Sequence, residues 1–358
     1  MKKKGRILII IGYGELGGAE RQAIYLAEGL KNKGYKVFVL NFGNKGRSNE
    51  ILDQKKVAND NITLRLTYNK RDIIKDLTKL YFKILSFLPN TIFPFTRNPN
   101  VYVNALCPFL PFTKTFWNQR EEGRGIYQNK LEKFAIRNTH QFISNSTIGA
   151  DFLNKTFHVP REKITIIYNG VEVQKKDHNI NEKLNVGMIG NLHAYKDYHT
   201  LLKGWHFFKR QNPGIELQLF IAGRNDGLLD SLNQIAEELH ISDSVKFVGQ
   251  VETIREFIRS LTIGIHSSLH EGCPNAVLEM MSHGLPVVAS NIPGNIDALG
   301  SDYPLFFEAG NADDLAKQFS CLVNSRSCWE EIGNRNQERI KEHFTVPNMI
   351  NQYENLLQ

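Results

Sequence analysis

Two glutamates, Glu271 and Glu279, are the residues of this sequence whose types and spacing best suit chemistry. They stand eight positions apart, around a turn of small residues, Gly272-Cys273-Pro274-Asn275, that leads into an apolar helical start. The apolar segment Leu261–His266 before them is typical of a strand. At the N-terminus of a helix that follows a strand, the first backbone N–H groups of the helix are unpaired and favour binding of a phosphate. Carboxylates beside such a turn suit hydroxyls of a sugar or ribose, so the stretch indicates a binding site for both groups.

A structural interpretation of the same residues is that Glu271 caps the helix and Glu279 is a solvated helical acid. Met280 and Met281 follow Glu279, however, and a carboxylate in apolar company is costly without a partner. His270 is open to two interpretations, a packed side chain or a base, and the first is more common for a single histidine.

The second half of the chain predicts the alternating elements that would place these glutamates at the edge of a sheet. Strands are predicted at Leu184–Gly190, Ile215–Ala222, Val245–Val248 and Pro286–Ser290, with helices between them. Pro293–Asp297 is predicted to be a loop after the last of these strands. Such alternation is typical of a doubly wound parallel sheet.

The first half of the chain begins in the same way. Gly5–Ile11 is a continuous apolar strand, the Gly-rich turn Gly12–Arg21 opens a helix, and Gly34–Leu40 is the next strand. The glycines of that turn fit the dinucleotide-binding spacing only loosely, and Asn41 stands where such a site has an acid. We therefore expect a βαβ unit without a dinucleotide site, whose glycines serve turns or a close approach of the backbone.

The middle of the first half is more polar. Residues 44–64 are predicted to be a loop, with a short strand near Ile62–Leu66. Lys70–Leu88 is predicted to be a helix with a basic face, which suits a membrane surface or an ordinary solvated face. Strands are predicted at Val101–Val103 and Phe116–Arg120, and the polar end of the latter would lie at the ligand edge of the sheet.

Composition and charge divide the chain into two parts. Its 358 residues, 41% hydrophobic and 23% charged, are sufficient for two ordinary globular domains. Residues 1–182 carry 30 Lys and Arg against 16 Asp and Glu, a net charge of +14, whereas residues 183–358 carry 14 against 21, a net charge of −7. This asymmetry suggests two domains with different partners, although a basic surface also serves solubility.

Several functional classes are disfavoured by the sequence. The apolar run Ile7–Ile11 is too short for a signal peptide, and no segment approaches the ~20 apolar residues of a membrane-spanning helix. The four cysteines have no metal-binding spacing, and their scarcity fits a reducing cytoplasm.

We therefore predict an α/β protein of two Rossmann-like domains that face each other across a cleft, a favoured position for a ligand. The predicted domains are residues 1–172 and 183–342, joined by the polar linker Val171–Glu182. A C-terminal helix, residues 343–358, is expected to pack back on the first domain.

A set of motifs resembles the retaining glycosyltransferases of the GT-B fold, glycosyltransferase family 4. The resemblance covers most of the chain and is weakest from about Asn44 to Arg120. The motifs that carry it are Gly17-Gly18-Ala19-Glu20-Arg21, Ile167-Tyr168-Asn169-Gly170-Val171, Gly190-Asn191-Leu192 with Lys196, Ile221-Ala222-Gly223, Val245-Lys246-Phe247-Val248-Gly249, the Glu271 and Glu279 pair, Gly284-Leu285-Pro286-Val287-Val288-Ala289-Ser290, and Pro293-Gly294.

The resemblance implies roles for individual residues. Glu271 would bind the donor sugar and Lys196 the diphosphate, and these two are the expected catalytic residues. Glu279 would bind the ribose, with Gln250 and Val251 near the base. The remaining expected donor-binding residues are Gly17, Gly18, Asn191, Arg224, Gly272, Cys273, Pro274 and Asn275. The expected acceptor-side residues are Glu15, Asn104 and Arg120.

The chain departs from the family pattern in three places. Asn191 stands where the family usually has arginine, and Arg224 or His193 would have to compensate. Val103-Asn104-Ala105 stands where the family often has a histidine at the end of the fourth strand. Asp297 stands where glutamate is common.

The implied activity is transfer of a hexose or N-acetylhexosamine from a nucleotide-diphosphate sugar, with retention. The acceptor would be a hydroxyl of a glycan or lipid-linked glycan, in capsule, O-antigen or lipopolysaccharide biosynthesis. A UDP-sugar is expected rather than a GDP-sugar. No other cofactor and no metal are expected, because the chain lacks a clear Asp-x-Asp.

The expected location is the cytoplasm, at the inner face of the cell membrane. The basic first domain of the protein would contact anionic lipid, and we expect no nucleic-acid partner. Two alternatives stay open: a sugar-nucleotide epimerase of the same fold, and a non-catalytic protein that binds a nucleotide sugar or glycan.

Overall fold

A computed structural model describes residues 4–12, 14–67, 69–124, 129–174 and 184–358. The chain forms two compact units, Met1–Gly170 with Val346–Gln358, and Val171–Thr345. Most of the predicted linker lies outside the described residues.

The first unit is built on a seven-stranded parallel sheet with the strand order β3-β2-β1-β4-β5-β6-β7. The order reverses between β1 and β4, which is the arrangement of a doubly wound sheet. Its strands are β1 (Arg6–Ile11), β2 (Lys36–Phe42), β3 (Ala58–Ile62), β4 (Thr91–Pro94), β5 (Lys114–Gln119), β6 (Gln141–Ser144) and β7 (Ile164–Ile166). Its helices are α1 (Gly18–Asn32), α2 (Arg47–Gln54), α3 (Lys70–Phe87), α4 (Arg97–Leu106), α5 (Lys130–Asn138), α6 (Thr147–Phe157) and the C-terminal α14 (Val346–Asn355).

The second unit repeats this architecture with six parallel strands in the order β10-β9-β8-β11-β12-β13. Its strands are β8 (Leu184–Ile189), β9 (Leu217–Ala222), β10 (Val245–Gly249), β11 (Ile263–His266), β12 (Val287–Ser290) and β13 (Phe306–Phe307). Its helices are α7 (Tyr198–Gln211), α8 (Leu229–Glu238), α9 (Ile254–Arg259), α10 (Asn275–Ser282), α11 (Pro293–Leu299), α12 (Ala312–Asn324) and α13 (Trp329–His343).

The prediction of a strand at Val101–Val103 is wrong, because these residues lie in helix α4. Their β-branched and aromatic side chains favour strands, but burial of one helix face outweighs that preference. The fourth strand is instead Thr91–Pro94, four buried residues that end in a proline, which a sequence pattern argues against. Asn104 therefore lies on a helix and not at the end of a strand.

The prediction of a loop over residues 44–64 is wrong at helix α2, and the short strand predicted near Ile62–Leu66 lies earlier, as β3. Helix α2 has no apolar stripe that a pattern would detect. Side-chain amides fix it instead: Asn49 accepts from Asn41 at 2.8 Å, and its own amide donates to Asn59 and Asn61.

In the second unit, the loop predicted at Pro293–Asp297 is the first part of helix α11. Its proline occupies the first helical turn, where a missing N–H costs nothing. A side chain on Gly294 would clash with the carbonyl oxygens of Glu271 and Gly272, so a glycine lets this helix approach the loop before α10.

Helix α14 packs against α1 in the first unit, and Tyr353 is its most deeply buried contact. Its ring lies 5.3 Å from that of Phe93 and 6.3 Å from that of Phe95, and it is fully buried. Its hydroxyl accepts a hydrogen bond of 2.8 Å from Asn118. The last helix of the chain is thus part of the core of the first unit.

This packing predicts that Tyr353→Ala lowers the free energy of unfolding of the first unit by about 3–5 kcal/mol. The matched variant Tyr353→Phe keeps the ring and loses the hydroxyl that bonds to Asn118 and lies beside Arg120, which costs about 1–3 kcal/mol. Urea unfolding followed by tryptophan fluorescence measures both. Equal stability of Tyr353→Ala and the unchanged protein would show that α14 does not contribute to the core.

Candidate functional site

A buried ion pair between Lys196 and Glu271 forms the centre of the site in the second unit. The ammonium contacts carboxylate atom Oε1 of Glu271, and both side chains are about nine-tenths buried, with 11% and 12% exposed. Oε1 also lies 3.4 Å from Nε2 of His266 and 3.2 Å from the hydroxyl of Ser268. Nζ of Lys196 lies 3.2 Å from the same imidazole nitrogen.

The electrostatics of this group keep Glu271 ionised. Burial by itself raises the pKa of Glu271, but the charge of Lys196, together with the neighbouring His266, outweighs it and holds that pKa well below the ordinary value. Burial, followed by the charge of Lys196, lowers the pKa of His266. In the neutral tautomer with its proton on Nδ1, Nε2 of His266 accepts a hydrogen bond from the Lys196 ammonium, which then bonds to both an imidazole and a carboxylate.

Two loops are bonded to each other and thereby fix this pair. Ser267 donates to the carbonyl of Asp197 at 2.9 Å. The hydroxyl of Ser268 and the amide of Leu269 both donate to the carbonyl of Tyr195, at 3.1 and 3.0 Å. Lys196 lies between the two accepting residues, so hydrogen bonds to the backbone carbonyls on either side of it help to set its position relative to Glu271.

A second network supports the loop from the side of strand β12. The hydroxyl of Ser290 donates to the carbonyl of Ser268 at 2.7 Å and accepts from the amide of Ser268 at 3.1 Å. The side-chain amide of Asn295, on α11, donates to the carbonyl of Ser290 at 2.8 Å.

The loop after β8 is held by Tyr198. Its hydroxyl donates to the carbonyl of Gly190 at 2.7 Å and lies 3.2 Å from that of Asn191, and burial raises its pKa far above the ordinary range. The side chain of Asn191 accepts from the amide of Arg224 at 3.3 Å. The guanidinium of Arg224 itself bonds to Asp226 at 2.7 Å, so its charge already has a carboxylate partner.

The other predicted residues of the second unit surround the turn and the sheet edge. Gly272, Cys273 and Pro274 are buried in the turn. Asn275 begins α10 and Glu279 lies one turn further along it. The remaining two, Gln250 and Val251, directly follow β10, and His193 is exposed.

The histidine beside Glu271 is His266, and His270 is exposed. Sequence reasoning did not single out His266 as a site residue. It ends strand β11, and a polar residue at the carboxyl end of an apolar parallel strand was the signal that could have found it.

The predicted residues of the first unit have different environments. Gly17 precedes α1, Gly18 begins it, and Glu15 is exposed. Asn104 is fully buried, and its amide donates to the carbonyls of Asn100 and Phe116 at 2.9 Å, which is a structural use. Arg120 directly follows strand β5.

Arg120 lines a cavity of about 210 Å³ within the first unit. The lining residues are Ala19, Thr96, Arg97, Asn100, Trp117, Asn118, Gln119, Arg120, Glu121 and Arg124. Burial, reinforced by the charge of Glu122, raises the pKa of Glu121 to about 7. Within the described ranges, no group of three or more His, Cys, Asp or Glu side chains could hold a metal ion.

Two sequence models match the chain, one for each unit. The model described as "Glycosyltransferase Family 4" matches residues 16–175, and that described as "Glycosyl transferases group 1" matches residues 183–325. Fold and sequence together define a glycosyltransferase with the GT-B fold. The chain belongs to glycosyltransferase family 4, of the group 1 glycosyl transferases.

Individual relatives agree with this family. An uncharacterised glycosyltransferase of Haemophilus influenzae is 22% identical, and the match covers 100% of both chains. The O-antigen chain mannosyltransferase RfbU of Salmonella typhimurium is 26% identical over 56% of this chain and 54% of its own. The chain likewise spans about half the length of relatives named for lipopolysaccharide core and capsular polysaccharide biosynthesis.

A solved structure shares the fold over the whole chain. HepE of Anabaena, in complex with UDP and glucose, superposes with a TM-score of 0.83 and is 18% identical. The match covers 99% of this chain and 99% of that one. The protein is thus a glycosyltransferase related to enzymes of capsule, O-antigen and lipopolysaccharide biosynthesis.

The lowered pKa of Glu271 predicts a specific pH dependence of stability. A carboxyl group whose folded pKa lies below its unfolded value of 4.5 adds stability above that pH and loses it as the pH falls. The difference in unfolding free energy between the unchanged protein and Glu271→Gln should therefore be largest near neutral pH and narrow below pH 4.5. Urea unfolding at a series of pH values measures it.

Glu238→Gln is the matched control, because this glutamate of the same unit is exposed. It measures the effect of removing one negative charge from the surface. A difference for Glu271→Gln that stays constant or widens toward acidic pH would contradict the buried ion pair.

Proposed function

We propose that the protein transfers a hexose or N-acetylhexosamine from a nucleotide-diphosphate sugar to a glycan hydroxyl, with retention at the anomeric carbon. The second unit binds the donor and the first unit binds the acceptor. The observation that supports this most strongly is the buried contact between Lys196 and Glu271, beside the turn that begins α10. A cation and a carboxylate at one point suit a ligand that has both phosphates and hydroxyls.

The chemistry needed from the protein is stabilisation of the departing diphosphate. As the bond from the anomeric carbon to the phosphate oxygen breaks, negative charge grows on the diphosphate, and the ammonium of Lys196 offsets it. The first amides of α10 add to this, except that Pro274 has no N–H. Because a side chain supplies the positive charge, we propose that no metal is required.

Glu271 has a second task in this proposal, which is to accept hydrogen bonds from hydroxyls of the donor sugar. In a front-face transfer, the acceptor oxygen bonds to the anomeric carbon while its proton passes to the departing phosphate oxygen. The same face is used for departure and attack, which retains the configuration. Glu279 accepts from the ribose hydroxyls, and Gln250 with Val251 lines the base.

UDP is the nucleotide we propose, and a surface polysaccharide is the product. HepE, which shares the fold, was crystallised with UDP and with UDP-glucose. RfbU is named for the O-antigen chain. These are properties of other proteins, and they supply the class of substrates that a first assay should contain.

We also propose that helix α3 contacts an anionic membrane surface. Among the described residues, no helix is long and apolar enough to span a bilayer. Ile74 and Phe82, however, are 65% and 64% exposed on α3, and Lys75 is exposed on the same helix. Exposed apolar side chains beside lysines are suited to the boundary between lipid headgroups and acyl chains.

The donor proposal predicts that Lys196→Gln and Glu271→Gln each lower kcat/KM by about a hundredfold or more, because each removes a preorganised contact to the donor. Release of nucleoside diphosphate is measured with a panel of UDP- and GDP-sugars, with and without a glycan acceptor. Lys246→Gln is the matched control, since this lysine of the second unit is exposed.

Full activity of both site variants would contradict the assigned site. Release of nucleotide without an acceptor, together with an isomerised sugar, would instead identify an epimerase. Binding of a nucleotide sugar without turnover in the presence of acceptors would identify a non-catalytic protein. The anomeric configuration of the product, read by NMR, tests retention.

The membrane proposal predicts binding to vesicles that contain phosphatidylglycerol and much weaker binding to phosphatidylcholine alone. Lys75→Gln should weaken binding by about fivefold, corresponding to about 1 kcal/mol per surface lysine. Co-sedimentation at low salt measures this, with Lys246→Gln as the control. Absence of binding to the anionic vesicles would refute the proposal.

A further inference from the structure

The cavity of the first unit lies where a doubly wound sheet binds ligands. Its lining includes Thr96 and Arg97, just beyond the end of β4, and the segment Trp117–Glu121 at the end of β5. β4 neighbours β1, and the strand order reverses between these two strands. Ligands of such sheets bind beyond the carboxyl ends of the strands, near this reversal.

Arg120 contributes an unbalanced charge to this cavity. Its Nη2 donates to the side-chain oxygen of Asn169, and the hydroxyl of Tyr353 lies beside the guanidinium. Apart from that hydroxyl, the buried Nε and Nη1 atoms have no hydrogen-bond partner. Its guanidinium also lies 5.1 Å from the centre of the Phe95 ring. Buried donors of a charged group are costly when they are left unpaired, so these two atoms are suited to a bound anion.

The other two arginines of the cavity already have carboxylate partners. Nε of Arg97 bonds to the buried Glu132 at 2.9 Å, and Arg124 pairs with Glu122. Among the residues that the structure describes, no carboxylate lies within ion-pair distance of Arg120.

Two further acids lie near enough to matter for the charge of the cavity. The charge of Arg120 opposes the rise in pKa that burial causes at Glu20, and burial also raises the pKa of Glu121. With a pKa of about 7, Glu121 is partly protonated at neutral pH and competes less with a bound anion than an ordinary carboxylate does.

The backbone at the cavity wall is strained, which is a second feature of a built site. Thr96 has φ 69° and ψ 171°, a region that essentially only glycine occupies. A β-carbon on Gly12 would lie 2.7 Å from the hydroxyl oxygen of Thr96, so the close approach requires a glycine there. Strain of this kind costs about 1–3 kcal/mol and is concentrated at ligand sites.

We propose that this cavity binds an anionic group of the acceptor, a carboxylate or a phosphate ester, through the guanidinium of Arg120. The acceptor is then an acidic glycan, with either a uronic acid or a phosphate-substituted sugar at the position that the first unit binds. Identifying the bound acid as part of the acceptor rests on the proposed function. The binding of an acidic sugar itself can be measured without any transfer.

The test is isothermal titration of the whole protein, without donor, with three probes: methyl glucuronide, glucose 6-phosphate and methyl glucoside. At least one acidic probe should bind, and the neutral glucoside should bind at least tenfold more weakly, because a hydrogen bond to a charged group contributes about 1.5–3 kcal/mol. Preference for the glucuronide identifies a carboxylate, and preference for the phosphate identifies a phosphate ester. Equal binding of all three, or binding of neither acid, would overturn the proposal.

Variants locate the bound anion. Arg120→Gln should lower the affinity for the preferred acid at least about tenfold, and Arg120→Lys should lose part of it because the planar fork is absent. Arg65→Gln is the matched control, since it removes an exposed arginine of the same unit that pairs with Asp72. Unchanged affinity in a folded Arg120→Gln would overturn the assignment of the anion to Arg120.

The comparison of acidic with neutral probes needs no variant, so it shows whether the protein prefers an acidic sugar even if Arg120→Gln fails to fold. It also separates this inference from the proposed function. Inactivity with every nucleotide sugar would leave acid binding intact, whereas active transfer to neutral acceptors with no acid binding would refute this inference alone.

Discussion

Glu271 is buried as an ion because Lys196 lies against it, and the arrangement of the second unit around them depends on that contact. Removing a carboxylate from water costs several kcal/mol, which is recovered only when a cation and hydrogen bonds are held in place. Here the ammonium, His266 and Ser268 are all within contact of one carboxylate oxygen. The loops after β8 and β11 are hydrogen-bonded to each other, which holds the two charged residues close together.

The contact between Lys196 and Glu271 also preorganises the charges of the proposed site in the absence of a ligand. Lys196 is shared between a carboxylate and a neutral imidazole, so its charge is already oriented. In the proposed reaction, a diphosphate would enter this arrangement as a further acceptor for the ammonium. Preorganised charge of this kind needs little rearrangement when the leaving group becomes more negative.

Sequence reasoning predicted Glu271 and Lys196 as site residues but not the neighbouring His266. Short, mostly apolar segments such as Arg6–Ile11 and Leu184–Ile189 favour buried strands of a parallel sheet, and both are strands in the structure. The strand Thr91–Pro94 was not predicted, because it is short and contains proline. The fourth strand was predicted at Val101–Val103 instead, which is part of a helix. Local preference was outweighed there by burial, which depends on distant residues.

The polar features show a similar limit. Glu271 and Lys196 were predicted to be site residues because their neighbours form motifs, whereas their contact across 75 positions is a property of the fold. His266 lies in an apolar strand, so its role appeared only when that strand was placed beside Glu271. The environment of Arg120 likewise depends on the fold, because the nearby carboxylates Glu132 and Glu122 pair with Arg97 and Arg124 instead.

The most direct test of the central claim is a crystal structure of the protein with a bound UDP-sugar. We expect the diphosphate to lie within hydrogen-bond distance of Lys196, with hydroxyls of the sugar bonded to Glu271 and those of the ribose to Glu279. A UDP-sugar bound elsewhere, with the contact between Lys196 and Glu271 unchanged and away from the ligand, would contradict the account.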